Sequence, residues 1–382
     1  MSADPLASES VLETLQDLVR IPSINPSLGD ASATGEGAIA RFVRDWLEAR
    51  GIQATLEEVA PGRPNVFAEV GHGSPRLALC AHLDTVSAAG MTIPPFEPKT
   101  ENGRVYGRGS YDMKGGVAAI LAAAHSLRVR PARGALLLAL VADEEYASLG
   151  AADFVQRHRA DAAILTEASE GKLIIAHKGF VWISVRALGR AAHGSRWDLG
   201  VSAIARMGRI IAALDAFDRD VLRRREHALV GPASQHCALV TGGVGLTTYA
   251  PECTLQVERR TLPGETPDQV LREIREVVAR CGEEAEVTLL LARPPLVCDR
   301  DAPVARAVRA ATAAVQGDPA PDAGVAYWMD AAIFAEAGIP TVNYGPSGAG
   351  AHEAVEWVDL DSVVACARIL DESARRFAEF AG

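Results

Sequence analysis

The sequence predicts an α/β fold: a largely parallel sheet wrapped by helices, interrupted by an inserted α+β domain of ferredoxin-like order. Three observations carry this. Short apolar runs alternate with helical periodicity through Glu167, and the same alternation returns from Ala302 onward. Around His177 the spacing switches to period two. A chain of 382 residues also suits two domains better than one.

Taken in order, residues 8–20 ("SESVLETLQDLVR") and 36–50 ("EGAIARFVRDWLEAR") show apolar faces at helical spacing, with Gly51 as C-terminal cap of the second. "NVFAEV" and "RLALCAHLDTV" read as strands, "MKGGVAAILAAAHSLR" as a helix rich in small residues, and "GALLLALVA" as a buried strand. "SLGAADFVQRH" is then a helix with Ser148 as N-cap, and "DAAILTEAS" another strand. "KLIIAHKGFVWISVRALG" alternates as one long, half-exposed strand. It is followed by helix "GVSAIARMGRIIAALDAF", strands "HCALVTGGV" and "ECTLQVERRTL", helix "TPDQVLREIREVVARC" and strand "EAEVTLLLAR". That succession is β-α-β-β-α-β. The expected boundaries are 1–177 with 294–382 for the interrupted domain and 178–293 for the insertion.

A net charge of −11 argues against nucleic acid or an anionic membrane surface as partner. The N-terminus lacks the basic start and apolar core of a secretory signal, and no apolar run approaches the roughly 18 residues of a membrane span. Six scattered cysteines without a Cys-x-x-Cys pair read as reduced thiols of a cytoplasmic protein. Any metal would therefore be held by histidine and carboxylate.

Residues of those types gather at predicted strand ends. "CAHLDTV" supplies His82 and Asp84, "GRGSYDMKGG" Asp112, "VADEEY" Glu144 and Glu145, "LTEAS" Glu167, and "GAGAHEAVEWV" His352. Each alone has a plainer reading: a core histidine, a helix N-cap, a solvated acidic turn. In a parallel sheet, however, the C-terminal strand edges line one crevice. Two imidazoles and several carboxylates converging there suit zinc, and five candidate ligands suit two ions sharing a carboxylate better than one. Within His-x-Asp, Asp84 is placed to orient the free ring nitrogen of His82.

The ordered set "AHLDTV", "GRGSYDMKGG", "ADEEYASLG", "LTEAS", "AAHGSRWDLGVSAI", "ERRTLPGE", "GIPTVNYGP" and "AHEAVEWV" resembles one family over nearly the whole chain. This is the group of co-catalytic zinc hydrolases that includes acetylornithine deacetylase, succinyl-diaminopimelate desuccinylase, aminoacylase and glutamate carboxypeptidase. The resemblance implies a zinc-exopeptidase-like catalytic domain, an inserted dimerisation or lid domain, and two zinc ions per subunit, with cobalt or manganese as substitutes. It implies that His82 and Glu167 hold one ion, Glu145 and His352 the other, and that Asp112 bridges them. Glu144 would be the general base, with Asp84 supporting His82 and Glu356 supporting the ligands. It further implies a cis bond between Asp112 and Met113. His193 would stabilise the oxyanion, reaching the partner subunit's site in a homodimer formed through the insertion. Arg260 would grip a substrate carboxylate, with Arg259 beside it leaving the register open.

Three functional readings follow: hydrolysis of an N-acyl amino acid, a carboxypeptidase or dipeptidase, and an inactive binding protein on the same fold. "TLPGE" and "GIPTVNYGP" lean toward the acetylornithine deacetylase side. Trp197 stands where relatives often carry proline, and with Tyr327 and Trp328 it argues against inheriting a substrate. Asp330 occupies a family-like position without an assigned role.

Overall fold

In the computed structural model, which describes residues 4–381, the chain first forms helices α1 (Ser8–Arg20) and α2 (Gly37–Glu48). Strands β1 (Ala54–Ala60), β2 (Arg63–His72) and β3 (Arg76–His82) follow, then α3 (Gly115–Val129) and β4 (Gly134–Val141). Next come α4 (Leu149–Arg157), β5 (Ala162–Leu165) and β6 (Leu173–His177). The middle of the chain holds β7 (Gly179–Leu188), α5 (Ala203–Asp220), β8 (Ser234–Gly242), β9 (Glu252–Thr261), α6 (Pro267–Arg280) and β10 (Ala285–Arg293). The last part adds α7 (Pro303–Gln316), α8 (Ala331–Glu336), β11 (Thr341–Asn343) and α9 (Leu360–Phe380). These elements pack into two units. The first runs through Ile175, then Cys298–Ala323, then from Met329 onward; the second comprises Ala176–Val297 and Gly324–Trp328.

The sheet of the first unit has the order β1-β2-β4-β3-β5-β11-β6. Its centre, from β4 to β11, is parallel, and its margins are antiparallel. Residues 135–141 of β4 are all buried, which requires cover on both sheet faces. Helices α1, α3, α7 and α9 pack together, and α4 packs on α8. Small residues let α3 sink into this layer, so that residues 115–124 are buried all round. The register pairs His82 with Val141 and Cys80 with Leu165, so β3, β4 and β5 end at one edge. Strand β3 lies between the other two, and their connections diverge around it, the arrangement that opens a crevice.

The sheet of the second unit is antiparallel throughout, in the order β8-β9-β7-β10, with α5 and α6 packed on it. Val181, Ile183 and Val185 of β7 and Leu255 and Val257 of β9 are buried, and they alternate with outward Trp182, Glu258 and Arg260. Ser202 caps α5 by accepting from Ala205 N, and Thr266 caps α6 by accepting from Gln269 N. This is the ferredoxin-like order expected.

Several local expectations change. The long strand from Lys172 divides into β6 and β7 at Lys178. Gly179, the first residue of β7, has no room for a side chain: a Cβ there would lie 2.5–2.6 Å from Arg293 O, Pro295 N and Thr261 Oγ1. Ser148 precedes α4 but makes no side-chain cap; it takes a left-handed φ of 58° while its N–H donates to Asp143 O. Helix α2 ends at Glu48, and Gly51 closes the turn beyond it at φ 73°. Strand β1, partly polar at the sheet margin, had no apolar run to announce it. Among the described residues no helix is long and apolar enough to cross a membrane.

Gly116 shows how closely α3 approaches the site edge: a Cβ there would lie 2.5 Å from both Thr166 O and Thr166 Oγ1. Gly→Ala in an open helix stabilises by about 1 kcal/mol. Gly116→Ala is expected to reverse that sign and destabilise by about 1–3 kcal/mol, read as a lowered midpoint of urea unfolding.

Candidate metal centre

His82 closes β3 with its side chain buried. Its Nδ1 lies 2.9 Å from the main-chain carbonyl of Asp84. A carbonyl only accepts, so Nδ1 carries a proton and Nε2 is the nitrogen free to ligate. That Nε2 lies 3.1 Å from Asp112 Oδ1 and 3.5 Å from Glu167 Oε1. The other Asp112 oxygen, Oδ2, lies 3.2 Å from His352 Nε2, which is also 3.2 Å from Glu145 Oε2. Asp112 thus presents one oxygen to each histidine. Ligating atoms of His82, Glu144 and Glu167 fall within 4.8 Å of one another, as do those of His82, Asp112 and Glu145.

Two sequence expectations are corrected here. The carboxylate of Asp84 is 3.6 Å from His82 Nδ1, and the hydrogen bond comes from its backbone instead. The carboxylate accepts from Glu144 N at 3.2 Å, Glu145 N at 3.1 Å and Asn25 Nδ2 at 2.7 Å. The two glutamates are also not on a strand. β4 ends at Val141, Asp143 turns left-handed at φ 73°, and Glu144–Glu145 sit in the turn that follows. In that turn Glu144 comes together with His82 and Glu167, and Glu145 with His352.

A buried ionic frame fixes the turn. Arg63 Nη1 lies 2.7 Å from Asp143 Oδ1, and the same guanidinium pairs with Glu36. Glu36 also accepts from Asp143 N at 3.2 Å, while Asn25 Nδ2 spans to Asp143 Oδ1 at 3.1 Å. Asn25, Glu36, Arg63 and Asp143 are all buried. A second clamp holds Asp112. Glu356 accepts from Gly109 N at 2.9 Å, from Tyr111 N and Asp112 N at 3.0 Å each, and from Arg108 Nη1 at 2.7 Å. The bond from Asp112 to Met113 is cis. His352 sits in a left-handed turn at φ 62°, with its side chain about half exposed.

The electrostatics fit a cation. Burial pushes Glu144 well above the ordinary carboxylate range and Glu167 up to about 8, with His82 opposing both shifts. Glu145 rises through burial and the neighbouring Asp112 charge. Burial works upward on Asp112 too, but hydrogen bonds from His352 and His82 hold it below its usual value. His352 is raised to about 10 by its hydrogen bonds to Asp112 and Glu145. Glu145 Oε1 is buried with no hydrogen-bond partner among the described residues. Imidazole and carboxylate in this proportion suit divalent zinc, whose charge offsets the desolvated carboxylates.

Asp330, buried at the start of α8, adds a further negative charge that raises Glu144 and Glu167. His193 and Arg260 belong to the second unit. His193 is exposed, with Nδ1 2.8 Å from Ser195 Oγ and its backbone bridged to Thr248. Arg259 is buried against Glu265 at 2.5 Å, whereas Arg260 lies on the open sheet face with Nη2 2.8 Å from Glu258 Oε1. Trp197 is 81% exposed. Asn25, Glu36, Arg63 and Arg108 went unrecognised in the sequence. Their partners lie far along the chain, and only the charge of Arg63 and Glu36 beside otherwise apolar stretches hinted at pairing.

Residues 78–376 match the model of peptidase family M20/M25/M40. The chain is 29% identical over 362 residues to acetylornithine deacetylase of Proteus mirabilis, covering 91% of this chain and 92% of that protein. It is 26% identical over 330 residues to a probable succinyl-diaminopimelate desuccinylase of Staphylococcus epidermidis, covering 78% and 80%. Among solved structures, aminopeptidase PepT from Bacillus cereus has a similar fold, with a TM-score of 0.82 at 18% identity over 98% of this chain and all of that one.

Removing Arg63 alone would leave Glu36 and Asp143 buried without a countercharge. Arg63→Met is expected to lower unfolding free energy by about 3–5 kcal/mol and to reduce metal bound per chain, measured by urea unfolding and elemental analysis. Arg63→Lys should recover part of both.

Proposed function

The chain belongs to peptidase family M20/M25/M40, whose members are metal-dependent amide hydrolases, and on that premise we propose that it is an acetylornithine deacetylase-like deacylase releasing the acyl group of an N-acyl amino acid. The observation that carries this reading is the convergence of His82, His352 and the buried carboxylates around Asp112, in a chain similar over nearly its full length to a deacetylase. His82 with Glu167 would hold one zinc ion and Glu145 with His352 the other, Asp112 serving both. Bound there, the ions supply Lewis acidity to the amide carbonyl and acidity to a water molecule.

The remaining work falls to the chain. Glu144 takes the proton of the attacking water and returns it to the departing amine. Burial raises its carboxylate above the ordinary range, toward the value that a group which both takes and returns a proton needs. Asp84 holds the turn through two main-chain amides and leaves the Glu144 side chain free to move the proton. Arg260 takes the substrate carboxylate, for which a guanidinium offers paired donors. His193 donates to the developing oxyanion.

The second unit joins two chains into a homodimer. Leu239 and Val240 are exposed on β8, an edge strand, and Val244, Leu246 and Ile204 are exposed as well. The six cysteines are free thiols, as expected in the cytoplasm.

Glu144→Ala is expected to retain bound metal and lose about 10²–10⁴-fold in turnover, whereas Glu145→Ala loses metal. Zinc loss in the first variant and not the second would exchange the two roles. Chelation should abolish hydrolysis, and zinc or cobalt should restore it; full activity in metal-free protein overturns the mechanism. Acetyl- and succinyl-amino acids should be cleaved faster than dipeptides, and the opposite order would replace the deacylase with a peptidase.

A further inference from the structure

Glu170 lies in the loop between β5 and β6, three residues after Glu167, and it holds a left-handed φ of 54°. Glycine takes that conformation without steric cost, as Gly171 beside it does at φ 68°, whereas glutamate is uncommon there. A bulky residue kept against its backbone preference points to a use for its side chain.

That side chain is exposed, yet its Oε1 accepts hydrogen bonds from two loops distant in sequence. Tyr111 Oη donates at 2.7 Å and Gly348 N at 3.3 Å. Tyr111 immediately precedes Asp112, and Gly348 lies four residues before His352. The two loops also touch, since a Cβ on Gly348 would lie 2.7 Å from Tyr111 Cδ2. One carboxylate oxygen thus joins the residue beside Asp112 to the backbone leading to His352. Asp112 Oδ2 and His352 Nε2 themselves lie 3.2 Å apart.

The loop from which Glu170 reaches is fixed by other bonds. Ser169 N donates to Pro346 O at 3.2 Å, Gly345 N donates to Ser169 Oγ at 3.0 Å, and Asn343 Nδ2 donates to Glu167 O at 3.0 Å. Ser169 and Asn343 are buried. These bonds anchor the loop without the Glu170 carboxylate, which is therefore free to serve its neighbours. His352 is the group that needs such a hold. Its side chain is about half exposed in a left-handed turn, whereas those of His82, Glu145 and Glu167 are largely removed from water.

We infer that Glu170 is a positioning residue for the metal centre: through Tyr111 and Gly348 it sets the spacing of Asp112 and His352, and so governs the ion those two residues share. The inference rests on the reading of Asp112, Glu145 and His352 as ligands of one ion. In this role Glu170 acts only through its neighbours.

The test titrates metal-stripped, full-length protein with cobalt, followed by visible absorbance and equilibrium dialysis. Wild type should take up two equivalents. Glu170→Ala and Tyr111→Phe should each weaken the second by about 10–100-fold and change the first less. The double variant should be no worse than Glu170→Ala alone, because both changes remove the same bond. Glu170→Gln keeps an oxygen that accepts from both donors and should bind as wild type does. Glu170→Gly separates positioning from loop stability. Glycine relieves the left-handed backbone, so its metal-free unfolding midpoint should lie above that of Glu170→Ala, while its second cobalt ion stays as weakly bound. Recovery of the second ion in Glu170→Gly, or an unweakened second ion in Glu170→Ala, overturns the inference. If wild type takes up a single equivalent, the two-ion reading fails, and the inference is then decided by whether Glu170→Gly weakens that one.

Discussion

The ion pair between Arg63 and Asp143, shared with Glu36, is the interaction on which the metal centre depends. All three side chains are removed from water, so each charge survives only because the others are present. The arrangement fixes where β4 stops and how the next turn runs, and that turn carries Glu144 and Glu145. Asn25 extends the same frame from Asp143 to Asp84, and the main-chain carbonyl of Asp84 sets the tautomer of His82. A guanidinium on β2 thereby controls groups at the ends of β3 and β4.

The second unit solves a different problem with adjacent residues. Arg259 and Arg260 point to opposite faces of β9, as strand geometry demands. Arg259 is spent inside, against Glu265 and Glu273, where it ties the strand to the middle of α6 and the turn before that helix. Arg260 is left on the open face beside the rings of Phe180 and Trp182. One charge is buried and structural, and its neighbour lies at the surface, paired with Glu258.

Much of this was legible in the sequence, for identifiable reasons. His82 and Glu167 follow apolar runs that could only be buried strands, so their place at the sheet edge could be read directly. The β-α-β-β-α-β order showed in the change of periodicity. What stayed hidden depended on contacts across long stretches of chain. Nothing in "PGRPNVF" indicates that Arg63 will meet Asp143, and nothing in "HEAVEWV" indicates that Glu356 will gather three successive-loop amides near Asp112. The spacing His-x-Asp puts Asp84 beside His82, but spacing along a strand does not distinguish carboxylate from carbonyl. The break at Lys178 was missed because period-two alternation continues through a change of sheet.

The supports around the ligands are largely main-chain groups. Asp84 grips the amides of Glu144 and Glu145, and Glu356 grips those of Gly109, Tyr111 and Asp112. Backbone amides are the same whatever side chain they precede. The candidate ligand side chains are consequently replaceable parts on a frame that does not consult their identity. That separation makes the centre evolvable: one substitution can retune the metal, or silence the chemistry altogether, while the cradle that held the original side chain keeps its shape.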